Sequence, residues 1–353
     1  MTTIFLIRHA EAEGNLYRRA QGHYNGLITD KGYLQIDALR NRFAGVKLDA
    51  VYSSDLCRAV TTAKALYEPH DLPLFTSEDL REVNMGVWEG LPWGYSSYYE
   101  PEMRGYFNTD PIKWKIEGSE PYDLVQKRMK NRICDIAKRH DGHTVAIVSH
   151  GFAIRALVCD LNGVNSSDVS SVPYCENTAV TLLEYELSSG LIIKYYGNTD
   201  HLDAEIGTLS KQAWWTEKQH RTSDEIRFEY FSKERDSNLQ DMIINEYGMI
   251  PSCEDLFTAM QADMPVGVVG LNYSHTDKSA AVITILFTDI ALRRQTVGVQ
   301  LLGQAVMRAR ELGCNKLHVS VKADSPAMHF CQKYGFYFKE KTDISLALME
   351  KHI

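Results

Sequence analysis

The chain is 353 residues long, 44% hydrophobic and 24% charged, with a formal net charge of -8. Length and composition predict a soluble globular protein of about two domains. The acidic balance excludes a general nucleic-acid surface but leaves room for a local cationic pocket that takes a small anion. No apolar run is long enough to cross a bilayer; the longest candidate, residues 280–292, is interrupted by Thr284, Thr288 and Asp289. The N-terminus enters a strand at once, so no secretory signal is expected. Seven cysteines without a C-x-x-C pair suggest reduced thiols in the cytoplasm, not a disulfide framework or a zinc site.

The first apolar run, residues 4–7, reads as a fully buried strand: short, continuous, β-branched and aromatic. It delivers Arg8 and His9 where it ends, and ligands of open α/β sheets collect outside the carboxyl ends of the strands. On this fragment alone an ordinary surface Arg-His pair is an equal reading. Residues 49–53 read as a second strand and 56–67 as a helix, with Asp55 as its N-cap. Residues 88–122, rich in aromatics, Pro and Gly, are too many for a plain loop and read as a cap or substrate-recognition insert. A further buried strand over 144–149 delivers His150, and a helix over 152–161 follows. Residues 179–187 and 191–196 read as a hairpin. The alternation predicts a mostly parallel sheet with helices on its faces.

Composition shifts after Asn198. Residues 201–223 are polar and irregular apart from Trp214-Trp215, which are expected to dock the linker on a domain face. A second block starts near Glu225, with a strand at 226–231 and short helices at 238–247 and 253–261. Strands at 266–273 and 280–289 follow, then a helix over 296–312 that stops at Gly313, and a strand at 316–321.

Arg8, His9, Arg58, Glu82 and His150 form a chemically coherent set, and three of them stand at or just beyond the carboxyl ends of predicted strands. Guanidinium groups clamp phosphate oxygens bidentately and stay charged at any working pH. A neutral imidazole can attack phosphorus, and a second, protonated one can neutralise the equatorial oxygens. A carboxyl group can protonate the leaving alkoxide.

The motifs around these residues resemble those of the histidine phosphatase, or phosphoglycerate-mutase-like, superfamily. Arg8-His9-Ala10-Glu11-Ala12-Glu13-Gly14-Asn15 is similar to its R-H-G-x-T-x-x-N. Gln21-Gly22, Leu27-Ile28-Thr29 and Gly32 resemble Q-G…L-T-x-x-G, and Ser53-Ser54-Asp55-Leu56-Cys57-Arg58-Ala59 resembles S-S-D-L-x-R-A. Glu82 with Gly86-Val87-Trp88-Glu89-Gly90 resembles E-x-x-x-G-x-W-E-G, and Val148-Ser149-His150-Gly151 resembles V-S-H-G. The ordered match covers residues 2 to about 201. The resemblance implies a three-layer α/β/α domain in which His9 becomes a phosphohistidine and Glu82 is the general acid, then the base for water. It implies that Arg8, Arg58 and His150 bind the phosphoryl group, with Asn15, Gln21 and Gly22 completing the phosphate site. No metal is implied. Ala10 and Ala12 depart from the family's glycine and threonine, and Ala12 removes a hydroxyl that could contact phosphate. The compact insert favours hydrolysis of a small phosphorylated metabolite; mutase activity stays open.

Residues 281–338 show strand, Arg-rich turn, helix, strand, helix. The start of a helix is a ready pyrophosphate site. The block resembles GNAT-type N-acetyltransferases in Arg293-Arg294-Gln295-Thr296-Val297-Gly298, Leu301-Leu302, Ser325-Pro326-Ala327, Phe330 and Tyr334-Gly335-Phe336. The resemblance implies a mixed α/β GNAT fold that binds acetyl-CoA, with an amine acceptor unread. Pyrophosphate contacts are implied at Arg293, Arg294, Gln295, Thr296, Val297, Gly298 and Val299, and pantetheine contacts at Phe287 and Thr288, with Ser325 and Cys331 nearby. Thr296 stands where the first motif glycine is expected. Cys331 stands where many members carry a tyrosine that protonates the departing thiolate. The expected division is a phosphatase domain over 1–203, a linker over 204–224 and an acetyltransferase domain over 225–353. Nucleic acid and membrane are not expected partners, and a homodimer stays open. A C-terminal domain that only binds acyl-CoA or serves assembly is the alternative.

Overall fold

The computed structural model describes residues 1–209, 225–273, 278–341 and 345–353. Residues 210–224 of the expected linker, with Trp214 and Trp215, lie outside them. Two compact units form: one gathers Met1–Asn15, Arg19–Leu91 and Tyr99–His220, the other Leu16–Arg18, Pro92–Tyr98 and Arg221–Ile353.

The first part of the chain runs β1 (Thr2–Arg8), α1 (Glu13–Leu16), α2 (Asp30–Phe43), β2 (Ala50–Ser54), α3 (Cys57–Tyr67) and β3 (Leu74–Ser77). It continues through α4 (Trp93–Tyr99), α5 (Pro101–Thr109), α6 (Tyr122–Arg139), β4 (Thr144–Ser149), α7 (Gly151–Leu161), β5 (Val180–Glu186) and β6 (Gly190–Asn198). The sheet order is β3-β2-β4-β1-β5-β6. Strands β1 to β4 are mutually parallel, and β5 and β6 are antiparallel additions at one side. Every residue of β2 and the last five of β4 are buried. Side chains alternate between faces along a strand, so helices must cover both faces. On one of them Ile36, Leu39 and Phe43 of α2 and Ala59, Ala63 and Leu66 of α3 join Val51, Ala146 and Val148 of the sheet.

One local expectation fails in this unit. Asp55 does not cap α3: the cap position is Leu56, with no side-chain cap bond, and the Asp55 carboxylate instead accepts from Arg81 Nε at 2.7 Å. An ion pair with a half-buried guanidinium outcompetes one amide. The 88–122 stretch folds into the short helices α4 and α5, and Trp88, Phe107 and Trp114 pack on one another in its interior.

The second unit has a seven-stranded sheet in the order β12-β13-β11-β10-β9-β8-β7. Its elements are β7 (Ile226–Tyr230), α8 (Ser237–Tyr247), β8 (Asp255–Gln261), β9 (Met264–Tyr273), β10 (Ala280–Thr288), α9 (Val297–Glu311), β11 (Lys316–Lys322), α10 (Pro326–Lys333), β12 (Tyr337–Lys341) and β13 (Leu346–His352). The helix expected over 253–261 is instead strand β8. It pairs with β7 and β9 at once, and a strand buried on both faces has no alternation to betray it. Among the described residues no helix is long and apolar enough to cross a membrane.

Candidate active site

Strands β2, β4 and β1 are neighbours in the sheet, and their carboxyl ends bring the first constellation together. Arg8 is the last residue of β1, paired in register with Ser149 of β4, so His9 and His150 emerge side by side. Their ring centroids are 5.1 Å apart. Backbone contacts fix the turn after β1: His9 N–H donates to Ser149 O at 2.9 Å, and Ala10 N–H donates to the Thr62 hydroxyl at 2.9 Å. His9 Nδ1 sits 2.7 Å from Ala10 O. A carbonyl can only accept, so Nδ1 carries the proton and Nε2 keeps its lone pair. Arg58 Nε donates to that Nε2 at 3.3 Å. Burial first, then Arg58 and Arg8, push the His9 imidazole well below the ordinary histidine value, so it is neutral.

Arg58 is fully buried, and among the described residues backbone carbonyls hold it. Nη1 donates to Tyr24 O at 2.9 Å, and Nη2 donates to Gly22 O at 2.7 Å. Burial pulls the guanidinium down to about 10, against Glu82 and Glu89, which hold it up; it stays charged at neutral pH. The loop that supplies these carbonyls is organised by Glu89, whose carboxylate accepts from the N–H groups of Gly22, His23, Tyr24 and Met85. Gly22 is required there, since a Cβ would lie 2.3 Å from Glu89 Oε1 and from Val83 O. Gly22 thus serves the clamp through its backbone.

Arg8 Nη1 donates to Cys175 O at 2.5 Å, which leaves Nε buried without a partner. Both ring nitrogens of His150 and the Gln21 side-chain Nε2 are also buried without partners. Buried donors left unmade are costly. Of these, Arg8 and His150 flank His9, and an anion with several acceptor oxygens there would satisfy their donors. Asn15 turns its Oδ1 to Ala12 N–H at 3.1 Å and so braces the loop. Ala12 is fully buried and adds no donor.

Glu82 is nearly buried at the start of α7. Its carboxylate accepts from Phe152 N–H at 3.0 Å, Ala153 N–H at 2.8 Å and Val83 N–H at 3.1 Å. Both carboxyl oxygens therefore face the N-terminus of α7. Arg128 of α6 holds the segment from behind, donating to the carbonyls of Asp79, Arg81 and Glu82. Arg128 and Asn177, whose amide donates to His9 O at 2.9 Å, were not legible in the sequence. Their partners are backbone carbonyls far away in the chain. Glu89 lies inside a motif read above, but its work does not show in the motif.

His150 is held well below its ordinary value, first by burial and then by Arg58 and His9. It is therefore neutral before an anion arrives, whereas the protonated form is expected at work. The sign for stability follows. Both folded values lie below the unfolded one near 6.5, so the unfolded chain takes up protons first as pH falls. The contribution is full above about pH 6.5 and declines below it by about 1.4 kcal/mol per pH unit for each histidine. The melting midpoint is expected to fall between about pH 7 and about pH 5, and saturating phosphate is expected to lessen the fall. A midpoint indifferent to both would contradict this electrostatic reading.

In the second unit, β10 and β11 pair in parallel only from Ala280–Ile283 against Lys316–Val319, although both strands run on to Thr288 and Lys322. The strands therefore part, and the far end of β10 keeps hydrogen bonds with β9 alone. Gly298, at the start of α9, faces this region: a Cβ would meet the Phe330 ring at 3.3 Å and Thr288 Oγ1 at 3.7 Å. A parted strand pair beside the N-terminus of a 15-residue helix suits a pantetheine arm and its pyrophosphate. The implied contacts divide. Arg293 pairs with Glu246 at 2.7 Å, and Gln295 Nε2 donates to Ala291 O at 3.3 Å. Val297 and Val299 point into the core, as does the Phe287 ring. Ser325 caps α10, accepting from Met328 N–H at 3.2 Å. Cys331 lies in the core, where burial pushes its thiol up to about 11.

Thr296 and Arg294 have φ of 68° and 66°. A β-branched residue in this left-handed region is strained, so the motif glycine missing at Thr296 has a backbone cost. Thr296→Gly is expected to stabilise this unit by about 1 kcal/mol, read as a raised denaturation midpoint. A lowered midpoint would show that the threonine makes a compensating contact.

Fold and site together define an α/β domain with a buried arginine–histidine cluster, followed by a mixed α/β domain with a parted strand pair. The description "Histidine phosphatase superfamily (branch 1)" matches residues 4–198, and "Acetyltransferase (GNAT) family" matches residues 215–336. The chain belongs to the histidine phosphatase superfamily and carries a GNAT domain fused to it. It is 30% identical over 194 residues to Phosphoserine phosphatase 1 of Hydrogenobacter thermophilus, covering 55% of this chain and 92% of that protein. It is 28% identical over 207 residues to the "Probable phosphoglycerate mutase GpmB" of Yersinia pestis, covering 58% of this chain and 96% of that one. Among solved structures, Bacillus stearothermophilus YhfR superposes with a TM-score of 0.55 at 30% identity, covering 57% of this chain and all of YhfR.

Proposed function

We propose that the N-terminal domain, residues 1–203, hydrolyses a small phosphomonoester through a phosphohistidine on His9. The observation that carries this reading is His9 Nε2, unprotonated and buried beside Arg58, with unpartnered donors of Arg8 and His150 around it. In the first step Nε2 attacks phosphorus and the P–O bond to the leaving group breaks, while Glu82 gives its proton to the leaving oxygen. In the second step the Glu82 carboxylate takes a proton from water, whose oxygen attacks phosphorus; the P–N bond breaks and inorganic phosphate leaves. The guanidinium groups of Arg8 and Arg58 hold the equatorial oxygens through both steps. The incoming dianion reverses the balance at His150 and draws a proton onto it, and the arginines supply the charge that a metal would otherwise bring. The named relatives include a phosphoserine phosphatase and a mutase. Hydrolysis is the reading adopted here, and cytoplasmic work on a soluble metabolite goes with it.

The C-terminal domain, residues 225–353, is assigned acetyl transfer from acetyl-CoA to an amine. The parted β10–β11 pair beside α9 supports it. Strained Thr296 and the core-packed Cys331 favour a second reading, a domain that binds acyl-CoA without turnover. The test is the full-length protein with an aryl phosphate in the presence of a chelator, followed by calorimetric titration with acetyl-CoA and an amine screen. Phosphate release with chelator present supports the first assignment and its absence refutes it; acetyl-CoA binding without any acetylated amine selects the second reading for the C-terminal domain.

A further inference from the structure

The carbonyl of Glu82 and the N–H of Val83 belong to one planar peptide unit, which turns only as a whole. Its two ends do different work. The N–H donates to Glu82 Oε1 at 3.1 Å and is one of the three amides that seat the carboxyl. The oxygen accepts from Arg128 Nη2 at 3.0 Å and lies 3.0 Å from His23 Nε2, which carries the proton there because a carbonyl only accepts. Whatever fixes that oxygen therefore aims the amide at the carboxyl. Arg128 is itself held on several sides. Its Nε donates to Glu120 Oε1 at 2.6 Å and its Nη2 to Glu120 Oε2 at 2.8 Å, a bidentate pair. Nη1 donates to Asp79 O at 2.9 Å and to Arg81 O at 2.6 Å. The side chains of the pair are 16% and 18% exposed, so the planar fork has one orientation open to it.

Glu120 stands where the aromatic insert returns to the segment it left. Its N–H donates to Asn84 O at 2.9 Å, and Met85 bridges to Ser119. The stem of the insert, the Arg128 guanidinium and the peptide after Glu82 thus form one connected network. We infer that Arg128 is a positioning residue for proton transfer by Glu82: through the oxygen of the 82–83 peptide it holds the amide, and with it the carboxyl, in the orientation that serves the leaving oxygen. A cation on that oxygen also polarises the unit and strengthens its N–H as a donor. Arg128 keeps its own protons throughout; the proton that reaches the leaving group is the one on Glu82. The inference rests on the reading of the N-terminal domain as a phosphatase with Glu82 as its acid.

The test measures kcat and KM of the full-length protein for phenyl phosphate and nitrophenyl phosphate, which share the phosphoryl group and differ in the basicity of the leaving oxygen. Arg128→Gln is expected to lower kcat by about 30-fold on phenyl phosphate and only about 3-fold on nitrophenyl phosphate, with KM changed by less than about 2-fold. Glu120→Gln, which breaks one arm of the bidentate pair, is expected to show the same bias more weakly. In the Glu82→Gln background, Arg128→Gln is expected to add less than about 2-fold on either ester, because the group it positions is gone. A brace that only holds the fold would lower both esters alike and would multiply with Glu82→Gln. Either of those results overturns the inference, as does an unchanged kcat in a folded variant. If Arg128→Gln fails to fold, Glu120→Gln and its combination with Glu82→Gln decide in its place. A wild type inert on both esters would instead refute the phosphatase reading itself.

Discussion

His9→Ala is expected to lower kcat/KM for an aryl phosphate by about 10,000-fold or more, because it deletes the atom that forms the covalent bond. The fold should survive. The His9 ring makes one hydrogen bond to its neighbour's carbonyl and one long contact with Arg58, while the turn is held by backbone bonds to Ser149 and by Asn177. The loss should therefore appear in activity with an unchanged far-ultraviolet spectrum. Inorganic phosphate should still bind, since Arg8, Arg58 and His150 remain. An alanine variant that turns over at the wild-type rate would remove His9 from the chemistry.

Glu82→Gln should discriminate between leaving groups. An alkyl ester leaves as a strongly basic alkoxide and needs its proton in the transition state; a nitrophenolate does not. The expected loss in kcat/KM is about 1,000-fold for an alkyl phosphate and about 10-fold for a nitrophenyl phosphate. Glutamine keeps one oxygen to accept from the helix N-terminus, although its amide nitrogen must turn away from those same N–H groups. Equal losses on both esters would mean that Glu82 acts by holding α7 in place and not as an acid.

The candidate site could be proposed from sequence because three of its five residues stand at or just beyond the ends of buried apolar runs. Strands β1 and β4 announce themselves by continuous apolar sequence, and their parallel pairing places His9 beside His150. The supports were not legible. Arg128 and Asn177 act on carbonyls remote in sequence, and nothing in their local pattern names those partners. Helix α2 escaped notice because its core face includes Gln35, whose amide is buried against Glu11 N–H and Thr208. Strand β8 was misread because Cys253, Leu256, Phe257 and Met260 fall at helical spacing, yet Asp255–Gln261 is bordered by strands on both sides. In the second unit the motif placed α9 correctly in outline. The φ of 68° at Thr296, however, is a property of the turn and is invisible in composition.

The phosphohistidine itself is the central claim, and trapping it tests that claim most directly. A radiolabelled phosphate ester mixed with the wild-type protein and quenched in alkali during turnover should leave a phosphoryl group on the protein. It should be stable to base, be released by mild acid, and map to the peptide that carries His9. Turnover without a labelled protein, or label on any residue other than His9, would contradict the account.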